Sequence, residues 1–386
     1  MKEQNVLLPD YTNSILNLSC SVLKSFGLEP KHPSLPAADK ILSDGYRHVV
    51  VILLDGLGIN ILEKHLRSGD FLRRRLLCSY SSVFPPTTTA STTTMLSGLS
   101  PVEHGWLGWD VYFEQEDKTV TCFTNNLAGT EKPAAFYHVA HKYLPFTNIA
   151  EQINNVCGKN TATIVFPFGE NAFPKLADWL AEIRRQCLLP QRTFTYAYWE
   201  EPDALLHKHG TDADCVHRIL VELNNSIEKL CDSLSDTAVF ITADHGHTDI
   251  SRSFLSERYP DFARMLVRKP SIEPRAISFF VKSEFLKKAQ SAEKTPVTCE
   301  DTVFSYEFNR LFGKDYVLFS RKQVFEMQLF GPGKPCANLT GIGDYIAAAT
   351  GKRTLFWDKT AKPFKSHHAG LNRDEMLIPL IFSGRK

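Results

Sequence analysis

The sequence lacks a net charge, a long hydrophobic run and a cysteine motif, and each absence excludes a class of protein. Its 44 lysine and arginine residues balance 43 acidic residues and leave +1 at pH 7. No overall field would therefore draw the chain to nucleic acid or to an anionic membrane, and we expect no stable nucleic-acid partner. The longest apolar runs, at 48–54 and 376–382, are far below the ~20 residues that span a bilayer. Residues 1–10 carry charges of both signs and no apolar core, which argues against a signal peptide.

Cysteine is present nine times, an odd number with wide gaps and no CxxC spacing. This pattern argues against a disulfide framework and against a zinc site made of thiolates. It favours a reducing compartment, and we expect a cytoplasmic protein.

The order of apolar runs predicts an α/β fold. A continuously apolar, β-branched run at 48–54 is typical of a strand buried on both faces of a parallel sheet. Further strands are predicted at 193–198, 237–242 and 376–382. They alternate with helical patterns, which we predict at 11–26, 59–76 and 212–234. We therefore expect one catalytic domain over residues 1–386, with a mostly parallel central sheet and helices on both faces.

Two stretches fit this alternation poorly. Residues 109–126 alternate polar and aromatic side chains, which indicates a hairpin. Residues 251–350 are irregular, with strand-like segments at 276–281 and 316–320. We interpret 251–350 as a smaller cap inserted into the main domain.

Aspartate or histidine stands at the end of each predicted strand. Asp55 follows the first strand, Asp203 and His207 follow the second at i and i+4, and Asp244 and His245 follow the third. His367 and His368 precede the last strand. Because ligands of such sheets lie beyond the carboxyl ends of the strands, these side chains are expected to meet. Carboxylate and imidazole without thiolate are the ligands of catalytic zinc, or of manganese with more oxygen ligands.

Each of these residues also has a structural interpretation. An Asp-Gly pair after a strand is usually a turn, Asp203 with His207 could be a helix cap and a surface histidine, and His367-His368 could lie in a polar loop. Four separate strand ends that all supply such residues favour the metal site over these alternatives.

The Thr/Ser run at 87–97 holds six threonines and two serines. Such residues are poor in an isolated helix, but Pro85 and Pro86 are typical of a helix start. A hydroxyl on the first turn would lie beside free amides at the positive end of the helix dipole, where anions bind. The remaining threonines we assign to packing.

Several motifs resemble the alkaline phosphatase superfamily, and most closely its type I phosphodiesterase/nucleotide pyrophosphatase branch. They occur in the order expected for that family over residues 48–382. The motifs are Leu53-Leu54-Asp55-Gly56, Phe84-Pro85-Pro86-Thr87-Thr88, Gly98-Leu99-Ser100-Pro101-Val102-Glu103-His104-Gly105, Glu201-Pro202-Asp203-Ala204-Leu205-Leu206-His207, Thr242-Ala243-Asp244-His245-Gly246 and His368-Ala369-Gly370-Leu371.

The resemblance implies a nucleophilic Thr88, assisted by Ser91, and two divalent metal ions, Zn²⁺ or alternatively Mn²⁺. The implied ligands of one ion are Asp55, Asp244, His245 and Thr88, and those of the other are Asp203, His207 and His368. Spacing to Leu371, Glu375 and Met376 favours His368 over His367. The chain departs from the family at Thr87, where relatives often have lysine, at Ser91, where the phosphodiesterases usually have asparagine, and at Ala369, where they have glycine.

The implied function is hydrolysis of phosphodiester or nucleotide pyrophosphate bonds through a phospho-threonine intermediate, with a small phosphate ester or nucleotide as substrate. A phosphomonoesterase or phosphonate hydrolase of the same superfamily is the alternative. A sulfatase is disfavoured, because its Cys or Ser followed by x-Pro-x-Arg is absent at 87–92. A metal-bound recognition module without activity is the alternative of another class. The sequence leaves the oligomeric state open.

Overall fold

The computed structural model describes residues 6–288 and 302–386. The strands are β1 (His48–Leu54), β2 (Leu76–Ser81), β3 (Asp110–Phe113), β4 (Lys118–Thr121), β5 (Asn126–Leu127), β6 (Ala162–Val165), β7 (Thr193–Trp199), β8 (Thr237–Thr242), β9 (Thr248–Asp249), β10 (Ser251–Phe254), β11 (Ser271–Ile272), β12 (Ala276–Phe279), β13 (Tyr316–Ser320), β14 (Tyr345–Ala349), β15 (Arg353–Phe356), β16 (Ser366–His367) and β17 (Leu377–Arg385).

The helices include both long and single-turn elements. They are α1 (Ile15–Ser25), α2 (Pro36–Leu42), α3 (Ile59–His65), α4 (Phe71–Arg74), α5 (Thr88–Ser97), α6 (Pro101–His104), α7 (Val139–Tyr143), α8 (Ile149–Cys157), α9 (Leu176–Gln186), α10 (Asp203–His209), α11 (Asp214–Asp232), α12 (Leu255–Arg258), α13 (Pro260–Arg264), α14 (Val303–Phe312), α15 (Arg321–Glu326) and α16 (Arg373–Met376).

The central sheet has the strand order β2-β17-β8-β1-β7-β6, and β8, β1, β7 and β6 run parallel. Every residue of β1, β7 and β8 is buried, because helices cover both faces of the sheet. Helices α1, α5 and α8 pack against one another and form one group of helices. Helices α3, α9 and α10 pack against α11 and form another. The predicted α/β fold with a mostly parallel sheet is thus confirmed. The last strand, β17, is antiparallel to its neighbours β2 and β8.

A second sheet unites the two stretches that fit the alternation poorly. Its order is β13-β14-β12-β11-β3-β4-β5, so the predicted hairpin supplies β3 and β4 while the predicted cap supplies β11 to β14. The antiparallel pair of β11 with β3 joins them. The cap is therefore continuous with the hairpin rather than a separate layer. Its residues 289–301 lie outside the described part of the chain.

The helix predicted over 59–76 is wrong in its length. The structure has α3, an extended Leu66, and then α4 with Asp70 at its N-cap, and Leu76 already begins β2. Gly69 and Asp70 explain the break, because glycine is costly inside a helix and aspartate favours a helix start.

Within the described ranges, no helix is long and apolar enough to cross a membrane. The eight cysteines in those ranges are free thiols, whereas Cys299 lies outside them. The cytoplasmic location stays a prediction.

Candidate active site

Three aspartates meet at the carboxyl ends of adjacent strands β1, β7 and β8. The Asp55 amide donates to the Trp199 carbonyl at 2.9 Å, and the Asp203 amide donates to the Asp55 carbonyl at 3.1 Å. Asp244 Oδ1 accepts the Gly56 amide at 3.0 Å. Gly56 has a φ of +74°, and a Cβ there would lie 3.1 Å from the Asp203 Cα, so only glycine fits this close approach.

The first group of candidate ligands contains Asp55, Asp244 and His245. Their ligand atoms lie within 4.8 Å of one another, and all three residues are buried. Thr88 Oγ1 is 3.3 Å from Asp55 Oδ2 and 3.2 Å from His245 Nε2. The Tyr198 hydroxyl donates a hydrogen bond to Asp55 Oδ2. The structure therefore brings together all four residues that the resemblance assigns to one ion.

The electrostatics of this group favour a bound cation. Burial and the charge of Asp203 raise the pKa of Asp55, and burial and the charge of Asp55 raise the pKa of Asp244 well above its usual range. Asp244 Oδ2 is buried and has no hydrogen-bond partner among the described residues. An unpaired buried carboxylate oxygen is costly unless a cation binds it, so the donor set fits a metal ion.

The second group surrounds Asp203. Its Oδ1 lies 3.5 Å from His207 Nε2, 2.6 Å from His247 Nε2 and 3.9 Å from His368 Nε2. Burial lowers the pKa of all three histidines, to about 3 for His247, so their imidazoles are neutral. The Nε2–H of His247 donates to Asp203. Asp203, His245, His247 and His368 form a second cluster within ligand distance, and it shares His245 with the first.

Backbone carbonyls fix which nitrogen the candidate ligands offer. The Nδ1 of His207 donates to the Ser366 carbonyl at 2.9 Å, that of His245 to the Gly246 carbonyl at 3.2 Å and that of His368 to the Pro86 carbonyl at 3.2 Å. In each ring Nε2 is then the lone-pair nitrogen, as in metal-bound histidines held by an outer hydrogen bond.

His367 is arranged differently. Its Nδ1 lies 3.0 Å from the amide nitrogen and 3.1 Å from the carbonyl oxygen of His368, and its ring packs beside Phe356 and Phe364. Like His207, it is absent from both clusters whose ligand atoms all lie within 4.8 Å of one another. The preference for His368 as a ligand agrees with this geometry and stays a prediction.

Thr88 is the first residue of α5, with Thr87 at the N-cap. The first-turn amides of this helix are the donors that a phosphoryl group would use. Ser91 is completely buried, and its hydroxyl lies 2.9 Å from that of Ser82, which donates to the Asp244 carbonyl. It thus supports the loop that carries Asp244, and its proposed contact with substrate stays a prediction.

Sequence reasoning missed two residues here. His247 follows the Asp244-His245-Gly246 motif by one position, and the alternation with His245 was a usable signal. Glu273 comes from the second sheet and accepts the Thr87 hydroxyl at 2.7 Å. Burial raises the pKa of Glu273 to about 7. No motif of the sequence pointed to this long-range contact.

The aromatic residues downstream of Thr88 differ in exposure. Trp106, Tyr112 and Phe113 are buried, while Trp109 is 45% exposed and packs edge-on against Phe123. A second exposed aromatic surface lies on the loop after β6. There Phe168 stacks on Phe166 and contacts Tyr198, the residue that donates to Asp55.

The sequence profile of the type I phosphodiesterase / nucleotide pyrophosphatase family matches residues 49–302. The chain belongs to this family. The match begins in β1 and includes Asp55, Thr88, Asp203 and Asp244 but ends before His368. The family's name describes phosphodiesterases and nucleotide pyrophosphatases, which are hydrolases.

Curated relatives align over a short segment. Bovine bis(5'-adenosyl)-triphosphatase ENPP4 is 40% identical over 70 residues, which cover 16% of this chain and 16% of the relative. Human bis(5'-adenosyl)-triphosphatase ENPP4 is 38% identical over 73 residues, covering 17% of this chain and 16% of the relative. The aligned segment thus spans about a sixth of either relative.

Solved structures are similar over most of the fold. Murine ectonucleotide pyrophosphatase/phosphodiesterase 5, as an inactive threonine-to-alanine variant in complex with AMP, superposes with a TM-score of 0.61 at 16% identity and covers 87% of each chain. The human counterpart gives a TM-score of 0.60 at 15% identity, again over 87% of each chain. At this identity the likeness establishes the fold.

Proposed function

We propose that the protein hydrolyses phosphodiester or nucleotide pyrophosphate bonds through a covalent intermediate on Thr88. The observation that carries this proposal is the position of the Thr88 hydroxyl, 3.3 Å from Asp55 and 3.2 Å from His245, beside two groups of candidate ligands. The inactive threonine-to-alanine variant of the murine relative supports a threonine nucleophile in this fold.

The donor sets would hold two divalent ions. Asp55, Thr88, Asp244 and His245 would bind one, and Asp203, His207 and His368 the other. Nitrogen and carboxylate ligands suit Zn²⁺ best and Mn²⁺ second. Bound there, the ions would supply activation of the hydroxyl and stabilisation of charge on the phosphoryl and leaving oxygens.

The proposed hydrolysis takes place in two steps at Thr88. Thr88 Oγ1 loses its proton to solvent and forms a bond to phosphorus, while the bond from phosphorus to the leaving oxygen breaks and that oxygen takes up a proton. Water then displaces Thr88 Oγ1, releasing a phosphate monoester and restoring the hydroxyl. The first-turn amides of α5 face the phosphoryl oxygens, because their helix leaves them without internal partners.

Local charge favours a diester over a monoester. A monoester carries one more negative charge, and no lysine or arginine occurs at 85–109 around Thr88 to balance it. This lack of nearby positive charge disfavours a phosphoryl dianion and supports the diesterase over the monoesterase alternative.

An exposed aromatic surface suited to a nucleoside base lies near the candidate ligands. Phe168 is 53% exposed, and its ring centroid is 5.7 Å from that of Tyr198. Stacking on an exposed aromatic ring contributes about 1–3 kcal/mol per base. The AMP bound to the murine relative and the bis(5'-adenosyl)-triphosphatase activity for which ENPP4 is named support a nucleotide substrate.

The test is the ratio of kcat/KM for bis(p-nitrophenyl) phosphate to that for p-nitrophenyl phosphate, on one metal-loaded preparation. We expect a ratio of about ten or more in favour of the diester, since no lysine or arginine occurs at 85–109 to balance the second charge of a monoester. Thr88→Ala protein is the control for contaminating enzymes. A tenfold advantage of the monoester would assign the protein as a phosphomonoesterase, and no turnover of either with full metal content would favour the recognition module.

A further inference from the structure

Glu273 joins the second sheet to the start of the nucleophile helix. It lies in the turn between β11 and β12 and is only 6% exposed. Its Oε1 accepts the Thr87 hydroxyl at 2.7 Å and the Trp109 amide at 2.8 Å. A single buried carboxylate oxygen therefore fixes two segments, the start of α5 and the segment that precedes β3.

The backbone around Glu273 is built to hold this side chain. Ile272 has a φ of +79°, a left-handed conformation that is a genuine outlier for a β-branched residue. A Cβ on Gly108 would lie 2.7 Å from the Ile272 side chain, so the two segments are in close contact. Strain of this kind persists where the surrounding structure fixes it, commonly at functional sites.

The same turn is anchored on its other side. Arg275 is completely buried and makes two hydrogen bonds of 2.7 Å to Glu375. Glu375 in turn accepts the Gly370 amide, in the loop that carries His368. The position of Glu273 is thus tied to the loop of a candidate metal ligand.

Thr87 occupies the N-cap of α5 with extended dihedral angles, φ −142° and ψ 149°, yet its side chain does not cap the helix. An N-cap threonine normally accepts an amide hydrogen of the first turn. Here its hydroxyl points to Glu273 instead. Those amides, next to Thr88, have no acceptor on Thr87 and are left for another one.

We propose that Glu273 is a positioning residue that holds the Thr87 hydroxyl away from the first-turn amides of α5, so that these amides bind the phosphoryl oxygens of the substrate. The inference rests on the proposed function of Thr88. It assigns a role to a residue of the second sheet and accounts for threonine at position 87. Glu273 acts through Thr87 and need not touch the substrate.

Removal of Glu273 would free the Thr87 hydroxyl to cap its own helix in competition with substrate. In Glu273→Ala we expect kcat to fall about 10- to 100-fold, the scale of losing one oxyanion donor, with unchanged metal content. Glu273→Gln keeps an oxygen acceptor and should recover most of this loss. Thr87→Val removes the hydroxyl itself and should cost less than about fivefold, because the amides stay free.

The decisive variant is the double substitution of Thr87→Val with Glu273→Ala. Without the hydroxyl no competing cap can form, so the double variant should be about tenfold more active than Glu273→Ala alone. Equal or lower activity of the double variant would overturn the inference, because a purely structural role of Glu273 gives no such recovery. If Glu273→Ala fails to fold, Glu273→Met fills the same volume without an acceptor and replaces it in both variants.

A second readout separates this inference from the proposed function. Calorimetry with inorganic phosphate measures the anion site without turnover, and we expect about tenfold weaker binding in Glu273→Ala with recovery in the double variant. Recovery of phosphate binding without any diesterase activity in the wild type would contradict the proposed function and keep the inference. Wild-type turnover together with unaltered phosphate binding in Glu273→Ala would support the proposed function and contradict the inference. Glu284→Ala, which removes an exposed carboxylate of the same segment, is the matched control.

Discussion

At the scale of single residues, hydrogen bonds decide which imidazoles can bind metal. His207, His245 and His368 each donate Nδ1–H to a backbone carbonyl, so Nε2 faces the carboxylates with a free lone pair. The Nδ1 of His367 lies near both the amide and the carbonyl of His368, and its ring packs against Phe356 and Phe364. The two adjacent histidines therefore have different surroundings, and the effect of this difference on metal binding can be measured.

We expect His368→Ala to weaken metal binding at the Asp203 group about 10- to 100-fold, whereas His367→Ala should weaken it less, since a ligand contributes more than a neighbour. Competition with a chelator of known affinity, followed by metal analysis, provides the measurement. Equal losses in both variants would mean that His367 is a ligand or that the loop has another conformation in the metal-bound protein.

The residues at strand ends could be predicted from sequence. Asp55, Asp203 and Asp244 each follow a run whose apolar character defines the strand, and parallel strands bring their carboxyl ends to one edge. Glu273 could not be predicted, because its contact with Thr87 joins positions 186 residues apart, one at the N-cap of α5 and the other in the turn between β11 and β12. His247 directly follows the Asp244-His245-Gly246 motif. It was missed because the motif that identified Asp244 and His245 ends at Gly246.

At the scale of elements, the second sheet supports the loops that carry the candidate ligands. Its turn from β11 to β12 supplies both Glu273 and Arg275, and the Arg275–Glu375 ion pair is completely buried with both side chains at 0% exposure. A buried pair need not stabilise the fold relative to an apolar pair, but removing one partner leaves the other charge uncompensated.

Arg275→Ala should therefore lower the free energy of unfolding by about 3–5 kcal/mol, because Glu375 would remain buried without its partner. Arg264→Ala is the control: its ion pair with Asp261 is exposed on both sides and should contribute less than about 1 kcal/mol. Urea unfolding of both variants measures the difference. Similar values for the two would show that solvent reaches Glu375.

Elements were predictable where one periodicity was unbroken. The strand predicted at 48–54 coincides with β1 and that at 237–242 with β8. The helical pattern over 59–76 did not indicate that the helix is interrupted near Gly69, because the apolar spacing continues across this position. The union of 109–126 with 251–350 in one sheet depends on pairing between distant segments, which local patterns do not encode.

At the scale of the whole molecule, the central sheet brings three carboxyl groups together at one edge, although the chain as a whole is nearly neutral. Three aspartates share this edge, and burial raises the pKa of both Asp55 and Asp244. Bound cations would remove the cost of ionising these groups in the folded state. Stability and metal content are therefore expected to be linked.

Metal removal by dialysis against a chelator should lower Tm, and added Zn²⁺ should restore both Tm and activity. Saturation at a thousand times Kd corresponds to about 4 kcal/mol of stabilisation. Differential scanning calorimetry of stripped and reloaded protein, with elemental analysis of each, is the measurement. Equal Tm values for metal-free and reloaded protein would show that the carboxylates are not held by metal ions.

The most direct test of the central claim is chemical trapping of the covalent intermediate during diester turnover. Metal-loaded protein is mixed with a nucleotide diester, quenched in acid within one turnover, digested and analysed by mass spectrometry. We expect the phosphoryl adduct on Thr88, and neither adduct nor turnover in a folded, metal-loaded Thr88→Ala variant. An adduct on Thr87 would identify Thr87 rather than Thr88 as the nucleophile. Turnover that persists in Thr88→Ala would contradict the account.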